Sequence, residues 1–222
     1  MRAVVFDFDG VLVDSEPLHY RSLRDCLRPE GIEIDKEEYL REYLAYNDRE
    51  TVRIALQRHG TAYDPALVEA VAARKARIFD AALAGISFFP GARELVQILS
   101  AQMPLAIASG ALRGEIEAIL RAGGLREHFA SVVGAEDVTQ GKPHPESYLT
   151  AAARLGRVAE GLRPEDCLAF EDSVAGIEAA RAAGMKVVAV TNSYPRPKLA
   201  AAHRIVESLA ELRLADLRAL FA

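Results

Sequence analysis

The chain has 222 residues, half of them hydrophobic and 27% charged, with a formal net charge of −5. That length can bury one large core or two modest ones, and the composition is that of a globular protein rather than a disordered one. The acidic balance argues against a general nucleic-acid surface, while leaving room for a locally positive site that takes a small anion. No stretch is long and apolar enough to span a bilayer. Met1-Arg2 leads straight into a strand with no signal-peptide cleavage pattern. Cys26 and Cys167 sit in no metal-like spacing and read as packed thiols. A cytoplasmic protein with no membrane partner is the expectation.

Ala3-Val4-Val5-Phe6 reads as a buried strand that ends in Asp7-Phe8-Asp9-Gly10. Alternation places Asp7 and Asp9 on one side of the chain, and ionised carboxylates are costly to bury without a cation or donors. Gly10 permits a tight turn or a close approach to a ligand. A helix cap or turn is the plainer alternative, since Asp and Gly favour both, and for Asp14-Ser15 it is a natural reading. Residues 16 to about 84 then read as almost wholly helical. Leu18, Leu23 and Leu27, then Tyr39, Leu40, Tyr43 and Leu44, recur at helical spacing. Pro29-Glu30-Gly31 breaks the first helix, a third spans about Asp48 to Arg58, and Asp64-Pro65 opens a fourth.

From Ile86 the pattern alternates. Pro90-Gly91 opens a helix to Ser100; Leu105 to Ala108 is a strand stopped by Ser109-Gly110; a helix runs to Gly123-Gly124; Val132-Val133 is a short strand. Glu146 to Leu155 is helical, Cys167 to Phe170 is a strand ending in Glu171-Asp172-Ser173, and Ala175 to Ala183 is a helix. Val187 to Val190 and Arg204 to Val206 are strands, Asn192 to Lys198 an exposed loop, and Leu209 to Leu220 a closing helix. Strands alternating with helices imply an α/β fold: a parallel, Rossmann-like sheet with helices on both faces, interrupted early by a helical insertion. The expected domains are a core of residues 1–14 and 87–222 and an inserted helical cap of 15–86.

The polar features fall at the C-terminal ends of strands, the edge where open α/β sheets bind ligands. Asp7, Asp172 and Glu171, with the main-chain carbonyl of Asp9, offer hard oxygens suited to Mg2+. Lys142, in Gly141-Lys142-Pro143, is a point charge for a phosphate oxygen. Ser109 and the amide of Gly110, at a helix N-terminus, can donate to the same group. Singly, each has a plainer reading: Ser-Gly as a helix cap, Gly-Lys-Pro as a solvated turn, Glu-Asp-Ser as an N-cap. Together on one edge they suit phosphoryl transfer.

The chain resembles the haloacid dehalogenase superfamily, in the subgroup with a helical cap after the first strand. The resemblance is carried by Asp7-Phe8-Asp9-Gly10-Val11-Leu12-Val13-Asp14-Ser15, Ile107-Ala108-Ser109-Gly110, Gly141-Lys142-Pro143 and Phe170-Glu171-Asp172-Ser173 with Gly176 after it. It implies that Asp7 is the nucleophile and Asp9 the acid and base. It implies too that Gly10, Ser109, Gly110 and Lys142 line the phosphate site, and that Asp7, Asp9, Asp172 and Glu171 serve Mg2+, Glu171 directly or through water. Members that are true dehalogenases lack the second aspartate, so Asp9 favours phosphate chemistry.

The similar proteins include sugar-phosphate phosphatases and β-phosphoglucomutases. His19 matches a histidine found in the mutases and in many phosphatases, although it is equally readable as a helix residue at the hinge, and Arg49 matches a cap arginine with which mutases grip the distal phosphate. The mutase Leu-Lys-Gly segment is here Leu44-Ala45-Tyr46, which loses a cation at the distal phosphate. Arg113, in the loop after Ser109, could contact phosphate. The expectation is a Mg2+-dependent phosphatase of a small phosphorylated metabolite such as a sugar phosphate, with a phosphosugar mutase and a non-catalytic phosphate-binding protein as alternatives. The subgroup implies a monomer. The cap should act as a lid, with Tyr43, Tyr46, Asn47 and Arg49 as candidates for substrate choice and core packing as the other reading for the tyrosines.

Overall fold

The structure is a computed structural model that describes residues 1–43, 46, 48–62 and 64–222, with the side chain of Ala84 left aside. It divides into two compact units, Met1–Asp14 with Ser87–Ala222, and Ser15–Ile86.

The first unit is built on six parallel strands: β1 (Ala3–Phe6), β4 (Leu105–Ala108), β5 (Ser131–Val133), β6 (Cys167–Glu171), β7 (Lys186–Val190) and β8 (Arg204–Val206). They lie in the order β5-β4-β1-β6-β7-β8. The parallel register pairs Val5 with Ala106 on one side and with Ala169 on the other, which puts β1 mid-sheet. Its burial on both faces is why the strand is apolar at every position. On one face lie Ala3, Val5, Ala106, Ala108, Cys167 and Ala169, small side chains packed with Tyr148, Ala151 and Leu155 of α7 (Glu146–Leu155) and Ile177 and Ala180 of α8 (Val174–Ala182). Alternation turns the larger Phe6 and Phe170 the other way, where their rings stack at 4.8 Å and Phe129 meets Phe6 edge-on at 6.1 Å. Two further helices, α5 (Ala92–Ser100) and α6 (Arg113–Ala122), bury Leu95, Leu99, Ile116 and Ile119.

The chain leaves and rejoins this unit through a two-stranded antiparallel ribbon, β2 (Val13–Asp14) and β3 (Ser87–Phe88). The segments that bound the inserted unit are thus paired to each other. Ser15 holds the N-cap position of α1 (Glu16–Leu27) without a capping hydrogen bond from its side chain. The closing helix differs from expectation as well. Ser208 caps a single 3-10 turn, Leu209–Glu211, the chain is extended at Leu212 and Arg213, and only Leu214–Ala219 (α9) is helical. The Ser208 hydroxyl accepts from the Ala210 amide, closing a local turn that competes with helix propagation.

The second unit consists of α1 with α2 (Lys36–Glu42), α3 (Asp48–Arg58) and α4 (Pro65–Ala82). Asp35 and Asp64 cap α2 and α4 by accepting from Glu38 N and Ala66 N. Leu23, Leu27, Val52, Leu56, Val68 and Val71 form its core together with Tyr39 and Tyr43. Among the described residues, no helix is long and apolar enough to cross a membrane.

Candidate active site

The amide of Asp7 donates to Phe170 O at 2.9 Å, extending the β1–β6 ladder one residue beyond Phe6. Asp7 therefore emerges at the C-terminal edge of the sheet. The chain then turns: Leu12 N donates to Phe8 O at 2.9 Å and Gly10 N to Val13 O at 3.0 Å. Asp9 lies in this turn, half-buried and bridged to Val13, rather than on the strand itself. Gly10 has φ +77°, and a Cβ there would lie 1.9 Å from Asp172 Oδ2. Both the left-handed backbone and the close approach demand glycine.

Lys142 Nζ reaches into this edge and donates to Asp7 Oδ1 at 2.7 Å and to Glu171 Oε1 at 2.6 Å. The Tyr148 hydroxyl donates to the same Glu171 oxygen at 2.8 Å. Glu171 Oε2 accepts from Asp172 N, Ser173 N and Ser173 Oγ at 3.0, 3.1 and 3.0 Å. The carboxylate lies directly over Gly176, where a Cβ would come within 1.7 Å of Oε1. Ser173 is the N-cap of α8 as well, its hydroxyl accepting from Gly176 N. Ser173 thus caps α8, as the cap reading expects, while Glu171, two residues before it, anchors the lysine.

Asp7, Glu171 and Asp172 each place a carboxylate oxygen within 4.8 Å of the others. Burial raises the Asp7 carboxyl well above the ordinary range; the charges of Glu171 and Asp172 add to this and Lys142 opposes it. Burial likewise pushes Asp172 to about 7, with Glu171 and Asp9 adding, while Ser193 and Lys142 oppose. Burial acts on Glu171 too, but Lys142 and the hydrogen bonds from Lys142, Tyr148 and Ser173 outweigh it, and the carboxyl stays low. Burial would discharge Lys142, yet Asp7 and Glu171 raise its pKa and hold it as an ammonium. One cation thus faces three buried carboxylates. Such a set fits a hard divalent ion, which supplies the missing positive charge. Asp7 and Asp172 are the acids with oxygens to give, whereas Glu171 faces an ion only by releasing one of its five donors.

Ser109, Gly110, Gly141 and Lys142 share a cavity of about 240 Å3 with Thr139. Ser109 Oγ accepts from Ala111 N at 3.0 Å, closing a turn. The helix expected to begin at Ser109-Gly110 starts at Arg113, and the carboxylate of Glu136 accepts from the Arg113 amide at that helix end. The Gly110 amide is therefore a loop donor rather than a helix-terminal one. Arg113 is not placed to hold phosphate. Its guanidinium grips both oxygens of Asp137, which Arg154 also binds. Although Asp137 is partly buried, its hydrogen bonds from Arg154, Gly134 N and Arg113 bring its carboxyl down to about 2.

His19 and Arg49 belong to the second unit. His19 stacks on Phe79 at 4.6 Å, and its Nδ1 lies 3.3 Å from Lys75 Nζ. Arg49 is exposed and pairs with Glu69 at 3.0 Å. Tyr43 is a core residue, 1% exposed, whose hydroxyl donates to Glu38 at 2.7 Å, so packing is its role. Tyr46 is exposed. Leu44, Ala45 and Asn47 lie outside the described residues.

Three residues at the first unit's edge escaped the sequence reading. Tyr148 lay in the stretch Glu146 to Leu155, read only as helical. Asn192 and Ser193 lay in a segment read only as an exposed loop, which they are, but Asn192 Nδ2 donates to Gly10 O at 2.7 Å and Ser193 Oγ to Asp172 Oδ2. The signal available was the polar Thr191-Asn192-Ser193 run at the end of an apolar strand, the edge at which Ser109 and Asp172 also emerge.

Comparison with known proteins gives the family of the chain. The haloacid dehalogenase-like hydrolase family profile matches residues 1–184. The chain is 33% identical over 220 residues to hexitol phosphatase B of Escherichia coli O157:H7, covering 97% of this chain and 96% of that protein. It is 32% identical over 219 residues to the chloroplastic 5-amino-6-(5-phospho-D-ribitylamino)uracil phosphatase of Arabidopsis thaliana, and spans 57% of that longer protein. Its fold matches CbbY from Rhodobacter sphaeroides, solved with phosphate, at a TM-score of 0.81 and 30% identity over 98% of this chain and 99% of that one. The chain belongs to the haloacid dehalogenase-like hydrolases and is an enzyme of the phosphomonoesterase kind.

Proposed function

We propose that this chain is a Mg2+-dependent phosphatase that hydrolyses a small phosphorylated metabolite, a sugar or polyol phosphate, through a phosphorylated Asp7. The observation that carries the reading is the single ammonium of Lys142 held among the buried carboxylates of Asp7, Glu171 and Asp172. A carboxylate nucleophile repels a phosphate dianion; Lys142, together with a divalent ion held by the carboxylates in excess, would supply the positive charge that offsets that repulsion.

Asp7 and Asp172, with the main-chain carbonyl of Asp9, would hold Mg2+. When bound, the ion supplies positive charge that draws the nucleophile and the phosphoryl oxygens together. A carboxylate oxygen of Asp7 attacks phosphorus, and the ester P–O bond breaks as the leaving oxygen takes the proton of Asp9. Asp9, now a carboxylate, removes a proton from water as the water oxygen attacks the same phosphorus. The acyl-phosphate P–O bond then breaks, returning Asp7 and releasing inorganic phosphate. Lys142, Ser109 and the amides of Gly10 and Gly110 orient and neutralise the phosphoryl oxygens. We assign the chemistry to the first unit and the choice of alcohol to the second, in which Tyr46 and Arg49 are exposed.

Phosphate release from a panel of sugar and polyol phosphates, with Mg2+ present and with it chelated, tests the reading. The expected result is Mg2+-dependent release from a subset of the panel. Efficient isomerisation of a glucose phosphate with negligible release would replace it with a mutase.

A further inference from the structure

The loop after β7 does more than join two strands. Asn192 and Ser193 touch two other segments of the sheet edge, the turn after β1 and the end of β6. Ser193 Oγ donates to Asp172 Oδ2, and Asn192 Nδ2 donates to the main-chain oxygen of Gly10 at 2.7 Å. Gly10 itself lies against Asp172. A Cβ on it would stand 1.9 Å from Asp172 Oδ2 and 2.9 Å from Ser193 Oγ. Three segments distant in sequence are thus interlocked at one carboxylate, and the loop is tied at its start by Thr191 N donating to Val206 O at 3.1 Å.

The other acids of the cluster are oriented from elsewhere. Lys142 holds Asp7, and five donors hold Glu171. Asp172 receives its hydrogen bond from Ser193. A carboxylate with one oxygen engaged by a hydroxyl is fixed about its last torsion, and the free oxygen points in one direction.

We propose that Ser193 and Asn192 are positioning residues of the acidic site: Ser193 engages Asp172 Oδ2 so that Oδ1 is presented to a divalent cation, and Asn192 pins the Gly10 turn against which that carboxylate rests. This rests on the reading of Asp7 and Asp172 as cation donors. Outer hydrogen bonds to metal-binding carboxylates commonly set affinity by about tenfold or more. Ser193 is exposed at the loop surface, so its truncation removes a hydrogen bond without opening the core.

The test is Mg2+ binding to the full chain by titration calorimetry, with no substrate present. Ser193→Ala should raise the Mg2+ Kd by about tenfold, and Asn192→Ala by about threefold to tenfold. The double variant should fall short of the product of the two, because both act on the same contact between Gly10 and Asp172. Ser193→Thr, which keeps the hydroxyl, should restore most of the affinity. Phosphate release at limiting Mg2+ should fall by the same factor in Ser193→Ala and recover as Mg2+ is raised. Tyr194→Ala, in the same loop, should leave binding unchanged. Wild-type affinity in a folded Ser193→Ala protein, or failure of the threonine to rescue, would overturn the assignment and leave the cation site standing. Wild-type protein that binds no Mg2+ at all would remove both.

Discussion

Each unit buries a lysine, and the two are balanced differently. Lys75, with its side chain 3% exposed, pairs with Asp48, which is 48% exposed, and sits near His19 Nδ1 and 5.8 Å from the centre of the Phe79 ring. Its charge meets one carboxylate, an imidazole nitrogen and an aromatic face. Lys142, 14% exposed, meets Asp7 and the fully buried Glu171, with Asp172 beside them. The first arrangement closes its own charge. The second leaves carboxylate in excess; burial raises the Asp7 and Asp172 carboxyls, and the neighbouring carboxylates add to that rise. A buried cation is therefore no mark of a site by itself; an unbalanced set of carboxylates around it is.

Exchanging each lysine for methionine breaks the comparison most directly. Lys142→Met should lower kcat/KM by about 10²- to 10³-fold, the usual loss for a positioned charge at a phosphoryl group, with the fold retained in circular dichroism. Lys75→Met replaces a paired cation by an apolar group of similar length. It should change unfolding free energy by less than about 1.5 kcal/mol, since Asp48 can turn to solvent. Lys75→Ala should cost about 2–4 kcal/mol by leaving a cavity. Denaturant titration of the three variants checks this, and a collapse of Lys75→Met would show that its charge is structurally required.

Asp137 provides the opposite case, one carboxylate shared by Arg113 and Arg154. Its carboxyl lies at about 2 when folded, below the 3.8 of a free aspartate. Its contribution is therefore complete above about pH 4 and lost as pH falls towards 2. Asp137→Asn should cost about 1–3 kcal/mol at neutral pH and flatten the stability curve over that acid range. Phosphate release should change less than in Lys142→Met, because Arg113 is committed to this ion pair.

The edge residues of contiguous motifs were readable because short apolar strands deliver them: Asp7 after Phe6, Ser109 after Ala108, Glu171 after Phe170. Parallel pairing then brings those ends together with no further information. What escaped depends on neighbours distant in sequence. Asn192 and Ser193 matter only because β7 lies beside β6, and Tyr148 only because α7 packs where Glu171 ends. Arg113 could not be separated from a phosphate contact without knowing that Asp137 faces it. The break at Leu212 and Arg213 escaped for a local reason. The apolar spacing suits a helix, but the Ser208 cap closes a separate turn first.

In the proposed mechanism Asp7 would carry the phosphoryl group covalently between the two half-reactions. Acid quenching of the Mg2+-loaded wild-type protein during turnover of a labelled substrate, followed by peptide mapping, measures this directly. Hydroxylamine-labile label is expected on the peptide containing Asp7 and absent from Asp7→Asn. Sustained phosphate release with no protein-bound label, or label on another residue, would contradict it.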